Sequence, residues 1–361
     1  MPASKSAQVI KLGVDTHAGR YVFARMVDNQ NVQPPQAMTP EAFLAFLAKQ
    51  KGLAARVVMV YEAGPYGFSL YRQATALGVE CLVCAPERLS RGRKRVNDKI
   101  DAGELLSRLD RYLAGNTTAL RLVRPPTLPQ EMSRRRSRER NTYRKERQRW
   151  MSRGRSLLHS LGIARPGRWW ECGRNLELRK LIEQQYGAEV AAQAWSELDR
   201  YLEFIELATQ KRDELAAELE KAAEKRGNPR IKGVGPLSSE VLDREIGDWN
   251  RFANRRQVAS YTGLCPGEDS SGDSRMSLSI DKHGNPRVRA ALVELAWLLP
   301  RYQPGYKPLA RWKAVFDPTA KASSAQRKKA VVALARRLAV DLWRIRTGRA
   351  KPQDLGLQLA A

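Results

Sequence analysis

The N-terminal part of the chain alternates short apolar stretches with amphipathic ones. Residues 7–14 are apolar and β-branched, residues 20–27 alternate between apolar and polar, and a turn at Ala18-Gly19 separates them, which predicts a β-hairpin. A weak third strand is predicted near Val32, and Thr39-Pro40-Glu41 opens a helix. The pattern then predicts a strand, a helix, a strand, a helix and a last strand at residues 56–61, 66–77, 79–84, 98–112 and 119–123.

This order of elements predicts the fold of the first region. Two or three antiparallel strands followed by alternating helix and strand are the order of a ribonuclease-H-like α/β fold. Arg124-Pro125-Pro126 ends the pattern, because proline cannot donate to a strand ladder or continue a helix. We therefore expect residues 1–125 to form one α/β domain of this type.

The next hundred residues carry helical patterns. Residues 131–155 contain no proline, one glycine, and eleven Lys or Arg against three Glu, which predicts a long basic helix with a local charge of +8. A second long helix is predicted from a heptad seam that Arg212 interrupts. We expect residues 126–228 to form a helical hairpin or a coiled coil linking two domains, and the seam would also allow self-association. The seam consists of Tyr201, Ile205, Ala208, Arg212, Leu215, Leu219 and Ala222.

A second globular region follows the break at Gly227-Asn228-Pro229. We assign it to residues 229–350, with a tail at 351–361. Residues 265–272 are rich in turn formers, and helices are predicted up to Ile246 and at residues 255–261, 286–299 and 326–346. The expected fold class is therefore α/β plus α-helical, with an α/β N-terminal domain, a long helical insertion and a mainly helical C-terminal domain.

The amino-acid composition favours one class of binding partner over others. The 361 residues include 64 Lys and Arg against 38 Asp and Glu, a formal charge of +26, and 42% are hydrophobic, which excludes a wholly disordered chain. Such a charge would repel itself unless a polyanion offset it, and nucleic acid is the commonest such partner. An acidic membrane is the rival, but the longest apolar stretch, 291–299, is too short to span a bilayer and no export signal begins the chain. We expect a cytoplasmic, soluble nucleic-acid-binding protein.

Four carboxylates of the first region are candidate metal ligands. Asp15 ends the first strand, Glu62 follows the strand at 57–61, and Asp98 and Asp101 are three apart and so share one helix face. Gathered at one edge of a sheet, they would hold two Mg²⁺ ions, which activate an attacking oxygen and stabilise a leaving one at a phosphodiester. The alternative is structural: Asp98 as an N-cap with Asp101 at the third helical position, and the other two as polar strand ends.

Other candidates carry less specific patterns. Ser270-Ser271-Gly272 lies among turn formers, and no His-Asp partnership for a nucleophile is apparent. Cys81 and Cys84 fall on a predicted strand, where side chains three apart point to opposite faces, so we set zinc aside. Trp169-Trp170, next to basic residues, would either stack on bases or pack in a core.

The basic residues are expected to form a surface that follows a nucleic-acid backbone, although such charge runs are more often solvated helix faces. They occur just before the helix predicted at 98–112, in the basic helix and in the C-terminal region. The candidates are Arg91, Arg93, Lys94, Arg95, Arg134, Arg135, Arg136, Arg138, Arg144, Lys145, Arg287, Lys328 and Lys329.

Several short motifs, in order, resemble those of insertion sequence 110 family transposases. Gly13-Val14-Asp15, Tyr61-Glu62-Ala63-Gly64-Pro65 and Asn97-Asp98-Lys99-Ile100-Asp101-Ala102 resemble the DEDD motif of that family. The C-terminal region resembles the domain that follows in the family over residues 231–236, 261–272, 282–289 and 328–337.

The resemblance implies a serine-dependent DNA recombinase with a metal site and a first domain similar to Holliday-junction resolvases, that is, RuvC-like. It implies guidance by a structured noncoding RNA, the bridge RNA, that pairs with donor and target DNA. Asp15, Glu62, Asp98 and Asp101 would be the Mg²⁺ ligands, and the serine before the glycine of the family's motif corresponds to Ser271. The site would join the two domains, in a homo-oligomer (a dimer or tetramer) acting at the bacterial nucleoid, with no membrane partner.

Two other functions stay open from the sequence. The first is a metal-dependent nuclease of the Holliday-junction type, or a DNA invertase, with the nuclease using water as nucleophile and the carboxylates alone. The second is a noncatalytic nucleic-acid scaffold, for which the positive charge alone would suffice.

Overall fold

The chain divides into two units, Met1–Thr127 and Leu128–Ala361. The structure is a computed structural model, and it describes residues 7–86, 98–271, 274–317, 319 and 321–360. No helix in these residues is both long enough and apolar enough to cross a membrane.

The first unit is built on a mixed five-stranded sheet with the strand order β3-β2-β1-β4-β5. Strands β1, β2 and β3 pair in antiparallel fashion, and β4 and β5 extend the sheet in parallel with β1. The predicted hairpin and weak third strand are therefore confirmed. The strands are β1 Ala7–Thr16, β2 Tyr21–Val27, β3 Gln33–Met38, β4 Ala54–Glu62 and β5 Glu80–Cys84.

Helices cover both faces of this sheet. Helices α1 (Pro40–Leu53) and α2 (Ser69–Ala76) supply Phe43, Leu47, Leu70 and Ala74 to one face, where they pack with alternate residues of the strands. Thr39 caps α1 by accepting a hydrogen bond from the Ala42 amide, as its sequence predicts. Helix α3 (Asp98–Leu113) covers the opposite face.

The last predicted strand, at 119–123, was wrong. Within the described residues this segment forms only an isolated bridge between Leu122 and Cys84. Leu120 is buried beneath α3, but Pro125 and Pro126 follow directly and have no amide hydrogens to continue a ladder.

Helix α3 lies along β1 in close register. Lys11 bonds Asp110, and Gly13 lies against the backbone of Ala102 and Leu106, so that a Cβ on Gly13 would collide with that backbone. Residues 98, 102, 106 and 110 follow one another at a spacing of four on the helix, while 15, 13 and 11 alternate on the strand. The missing side chain of Gly13 therefore brings Asp98 to the end of β1.

The second unit begins with three helices: α4 Leu128–Ser160, α5 Cys172–Tyr186 and α6 Ala188–Arg226. The basic helix and the heptad-bearing helix are both present and pack against each other as a helical hairpin within the chain. Of the seam, Ile205, Ala208, Leu215 and Leu219 are buried, whereas Arg212 is partly exposed.

The core of this hairpin includes Trp169. Trp169 is fully buried, donates from Nε1 to the carbonyl of Met151 at 3.0 Å, and packs against Gly154, where a side chain would collide with the indole. Core packing, rather than base stacking, is therefore the role of Trp169. The one glycine of the basic helix makes room for it.

The C-terminal region is mainly helical around one hydrophobic core. Four of its helices were predicted, but the turn-rich prediction for 265–272 was wrong in part, since Pro266–Ser271 forms a strand. Its partner strand alternates Met276, Leu278 and Ile280 with polar residues, a period of two that the sequence interpretation overlooked. The elements are α7 Pro236–Ile246, α8 Arg255–Thr262, β6 Pro266–Ser271, β7 Ser274–Ile280, α9 Pro286–Tyr302, α10 Lys313–Phe316 and α11 Ser324–Arg346.

Candidate functional site

Three side chains converge at the carboxyl end of β1. Asp15 is the penultimate residue of the strand, His17 follows the strand, and Asp98 is the first residue of α3. His17 Nε2 lies 3.1 Å from Asp15 Oδ2 and 3.5 Å from Asp98 Oδ2. One ligand atom from each of the three lies within 4.8 Å of the other two. We call this trio the β1 cluster.

The surroundings of the β1 cluster leave it accessible. The side chains of Asp15 and Asp98 are 25% and 33% exposed. Arg20, at the entry to β2, donates from Nη2 to Asp98 Oδ2 at 2.7 Å, and the carbonyl of the same residue accepts from the His17 amide at 3.0 Å. Because Arg20 occupies the Asp98 carboxylate from the side, Asp98 takes part in tertiary contacts that a helix N-cap role alone would not explain.

Glu62 and Asp101 lie outside this close group. Glu62 ends β4, the parallel neighbour of β1, and its position faces the α3 side of the sheet, as do Val58 and Val60. Its Oε1 lies 3.8 Å from Nη1 of Arg108. Asp101 is in the first turn of α3, one turn before Leu105, which packs on β4. The structure thus brings two of the four predicted carboxylates together, and the other two lie outside this group, on the β4 side.

The donor set of the β1 cluster fits a divalent cation. Carboxylate oxygens are typical ligands of Mg²⁺, whereas an imidazole nitrogen is more typical of transition-metal ions, and the short separations would allow these atoms to share an ion. The imidazole departs from the all-oxygen set expected from the sequence. His17 was overlooked because it was considered as one of three scattered histidines; its position two residues after Asp15 at a strand end is the signal that identifies it.

The candidate serine lies in the second unit at a hairpin end. Ser271 is the last residue of β6, and its backbone pairs with Ser274, the first residue of β7. Ser270 precedes it and pairs with Arg275. The side chains of residues 268–277 lie outside the described residues, so the choice between the two serines stays a prediction.

The basic candidates fall into two groups. Arg134 donates to the carbonyls of Arg244 and Ile246, and Arg138 makes a bidentate ion pair with Glu245, so both bind helix α7 within the chain. The exposed candidates remain available to a nucleic acid, although Arg136 also pairs with Glu139 and Glu218, and Arg287 lies 3.9 Å from Glu245. The exposed group is Arg135, Arg136, Arg144, Lys145, Arg287, Lys328 and Lys329, and residues 91–95 lie outside the described part of the chain.

Cys81 and Cys84 lie on opposite faces of the sheet. Cys81 packs with the face under α1 and α2, and Cys84 packs with the face under α3, as the strand spacing predicts. Burial raises the pKa of Cys81 to about 12, so its thiol stays protonated at neutral pH. The two thiols therefore do not form a paired site.

Comparison with known proteins gives the family. Residues 229–310 match the family model described as Transposase IS116/IS110/IS902 family. The chain is 35% identical over 308 residues to “Putative transposase y4rJ” of Sinorhizobium fredii, covering 80% of this chain and 76% of that protein. It is 25% identical over 302 residues to the transposase for insertion sequence element IS1533 of Leptospira borgpetersenii, covering 80% and 84%.

A shorter match supports the same assignment. Over 72 residues, the chain is 36% identical to the transposase for insertion sequence element IS1111A of Coxiella burnetii, which is 20% of each protein. The family model falls in the C-terminal region, whereas the long alignments cover four fifths of the chain. From this identity and coverage, the chain belongs to the IS110 family of transposases.

Proposed function

We propose that this transposase is an RNA-guided DNA recombinase that cuts and rejoins strands through a phosphoserine intermediate with the help of Mg²⁺. The observation that carries the proposal is the β1 cluster, in which Asp15 and Asp98, far apart in sequence, meet at the carboxyl end of a sheet strand. Membership of a transposase family makes DNA the substrate, and the charge of +26 suits a polyanion.

The first unit supports a RuvC-like, ribonuclease-H-like assignment. Its sheet has three antiparallel strands followed by two parallel ones, with helices on both faces, which is the order expected from the sequence. In this assignment the strand-end carboxylates are functional residues rather than polar strand ends.

The metal ligands are proposed as follows. Asp15 and Asp98 would hold the cation through carboxylate oxygens, with His17 Nε2 beside them, and Glu62 and Asp101, on the β4 side, would supply the remaining ligands of the predicted set. When bound, Mg²⁺ supplies positive charge that polarises a phosphodiester and stabilises a leaving oxygen. Arg20 would orient Asp98 through its hydrogen bond of 2.7 Å.

The chemical step is assigned to Ser271. Its Oγ attacks the phosphorus of a DNA phosphodiester and loses its proton to solvent. The Oγ–P bond forms as the P–O3′ bond breaks, and the 3′ oxygen takes up a proton. The phosphoserine keeps the bond energy, so the reverse attack by a 3′ hydroxyl rejoins strands without ATP.

Sequence choice is assigned to a bridge RNA that pairs with donor and target DNA, while the protein holds both nucleic acids by their backbones. The exposed residues of the basic helix, Arg135, Arg144 and Lys145, support this role. We propose a homo-oligomer, a dimer or tetramer, that acts on the bacterial chromosome in the cytoplasm.

Substitution of the serines tests the proposal. Ser271→Ala should abolish strand exchange and the covalent protein–DNA adduct, measured by trapping on a nicked DNA substrate, and should leave RNA binding intact. Ser270→Ala is the matched control and should keep the adduct. An adduct that persists in Ser271→Ala and disappears in Ser270→Ala would overturn the assignment of the nucleophile.

A metal-dependent nuclease is the second candidate, because the β1 cluster alone would support hydrolysis with water as nucleophile. Trapping separates the two functions, since a nuclease leaves no protein attached to DNA. Sequencing the RNA that copurifies with the protein tests the guide: one discrete structured species supports it, and bulk cellular RNA contradicts it.

A further inference from the structure

Arginines line an open cavity in the C-terminal region. The cavity has a volume of about 550 Å³ and lies between the start of α8 and the last half of α11. Its charged lining consists of Arg255 from α8, Arg337 and Arg344 from α11, and Arg349, which follows α11. Ligand pockets in proteins are roughly 300–1,000 Å³, so this volume would hold a group the size of one nucleotide.

The positive charge of this cavity is only partly compensated. Arg337 Nε donates to Asp341 Oδ2 at 2.9 Å, and Arg344 Nη1 lies 3.5 Å from Asp341 Oδ1, so two arginines share one fully buried carboxylate. Within the described residues, Arg255 and Arg349 form no ion pair. The four guanidinium groups of the lining are thus compensated by one carboxylate. Such an excess favours an anionic ligand with several acceptor oxygens.

A tryptophan adds a flat surface to the same cavity. Trp343 lines it, is only 6% exposed, and its Nε1 has no hydrogen-bond partner in the described residues. The guanidinium of Arg349 lies over the indole, 4.3 Å from the ring centroid. Arg349 is exposed, so its outer face presents a planar cation on which an unpaired base can stack.

The helix end beside the cavity does not itself supply the donors. Asn254 caps α8 by accepting hydrogen bonds from the amides of Arg256 and Gln257, so these amides are already used. An anion in the cavity would therefore be held by arginine side chains, and the cap fixes the point from which Arg255 extends.

We propose that this cavity, the α8–α11 pocket, binds one unpaired nucleotide of a single-stranded nucleic acid, with its phosphate on the arginines and its base on Arg349. This inference rests on the proposed function in one respect, that the protein binds nucleic acid. A duplex fits less well, because its bases are stacked inside and cannot reach the Arg349 face. The segment is either DNA exposed at a junction or an unpaired stretch of RNA.

The test compares a double variant of the full-length protein with a single-substitution control. Arg255→Gln with Arg349→Gln removes the two arginines that form no ion pair, and Arg311→Gln is the control. Arg311 is an exposed arginine that also lies over an indole, 5.7 Å from the centroid of Trp312, but it does not line the pocket. Fluorescence anisotropy measures binding of fluorescein-labelled 20-nucleotide DNA and RNA single strands, and of a blunt DNA duplex, at several salt concentrations.

The double variant should bind single strands about tenfold or more weakly, as expected for loss of one stacked base. The slope of log K against log salt should become shallower by about 0.7, the contribution of the one phosphate contact that is lost on a single strand. The control should lose less than twofold, and duplex binding should change little. The DNA and RNA arms show which strand the pocket prefers.

An unchanged slope in the double variant, an equal loss of affinity in the control, or an equal loss on the duplex would each overturn the proposal. Inorganic pyrophosphate that competes at equal concentration with a strand would instead indicate a site for free phosphates and contradict a nucleotide site. A second readout is tryptophan emission, whose change on strand addition should largely disappear in Trp343→Phe. The proposed recombination is tested separately by the covalent adduct on a nicked DNA substrate, so that its failure can be distinguished from a failure of the pocket to bind a strand.

Discussion

Carboxylates have opposite surroundings in the two units. In the second unit, Glu240, Glu245 and Asp341 have side chains that are 0% exposed, and each contacts at least two basic side chains. In the first unit, the carboxylates of the β1 cluster keep a quarter to a third of their surface exposed. Among the described residues, Asp15 contacts the His17 imidazole but no Arg or Lys side chain, and Asp98 contacts His17 and Arg20.

The difference separates structural from functional charge. A carboxylate taken fully out of water costs several kcal/mol unless cations and hydrogen bonds compensate it, so the second unit's carboxylates are satisfied within the fold. The β1 cluster has access to solvent and acceptor atoms to spare, which is what an incoming cation needs. Removal of a carboxylate should therefore cost stability in the second unit and activity in the first.

The largest effect is expected for Asp98→Asn. The loss of one ligand charge should lower the strand-cleavage rate about 10³-fold, or about 4 kcal/mol in the barrier. Stability without divalent cations should stay the same or rise slightly, because Asp98 no longer repels Asp15. Amide hydrogen exchange in peptides of α3 measures this, and added Mg²⁺ should slow exchange in the wild type but not in the variant. Glu80→Gln, a surface change in the same unit, is the control for activity.

The next largest effect is expected on the stability of the second unit, when a buried carboxylate is removed. Glu245→Ala should lower the free energy of unfolding of the second unit by about 3–5 kcal/mol, because Arg138 and Asn285 lose a buried partner. All eight tryptophans lie in the second unit, so urea unfolding followed by tryptophan emission reports that unit alone. A loss below about 1 kcal/mol would contradict a structural role for Glu245.

The pH dependence of the second unit should follow the same residue. Burial works to raise the pKa of Glu245, but hydrogen bonds from Arg138 and Asn285 outweigh it, so its pKa in the folded state lies below the ordinary value. Its stabilising contribution is therefore complete above the unfolded pKa of about 4.3 and is lost as the pH falls through the folded pKa. The stability difference between the wild type and Glu245→Gln should therefore stay constant above about pH 4.3 and narrow as the pH falls below that value. A constant difference would show that Glu245 does not titrate as proposed.

The smallest effect is expected where a pair is exposed. Arg56 makes a bidentate pair with Glu80 across β4 and β5, but the two side chains are 49% and 51% exposed. Arg56→Gln should cost at most about 0.5 kcal/mol, because solvent and salt screen such pairs. Amide hydrogen exchange in β4 measures this loss of stability. A loss of several kcal/mol would show that exposure does not distinguish the two kinds of carboxylate.

Local patterns were enough to predict most elements of both units. The hairpin of β1 and β2 follows from alternation, and α4 and α6 follow from charge and heptad spacing in continuous segments. Hairpin β6–β7 was missed because glycine, serine and aspartate at 267–272 are also typical of turns.

The site could be predicted only in part. Strand ends and a three-residue spacing identified Asp15 and Asp98, but not that His17 would join them, since that depends on how α3 packs on β1. Ion pairs such as Lys11 with Asp110 and Arg138 with Glu245 join residues about a hundred positions apart, and no local pattern encodes them. Arg138 was predicted from the sequence to belong to the basic surface, but its ion pair with Glu245 makes it part of a contact within the chain.

The bare backbone at Gly13 limits which substitutions the β1 cluster can tolerate. Since α3 rests directly on that strand position, even one methyl group there would act as a wedge and lift the helix, together with Asp98, away from Asp15. The separation of the Asp15 and Asp98 carboxylates thus depends on Gly13, a residue with no side chain and no charge. Mutational screens confined to charged residues would pass over it.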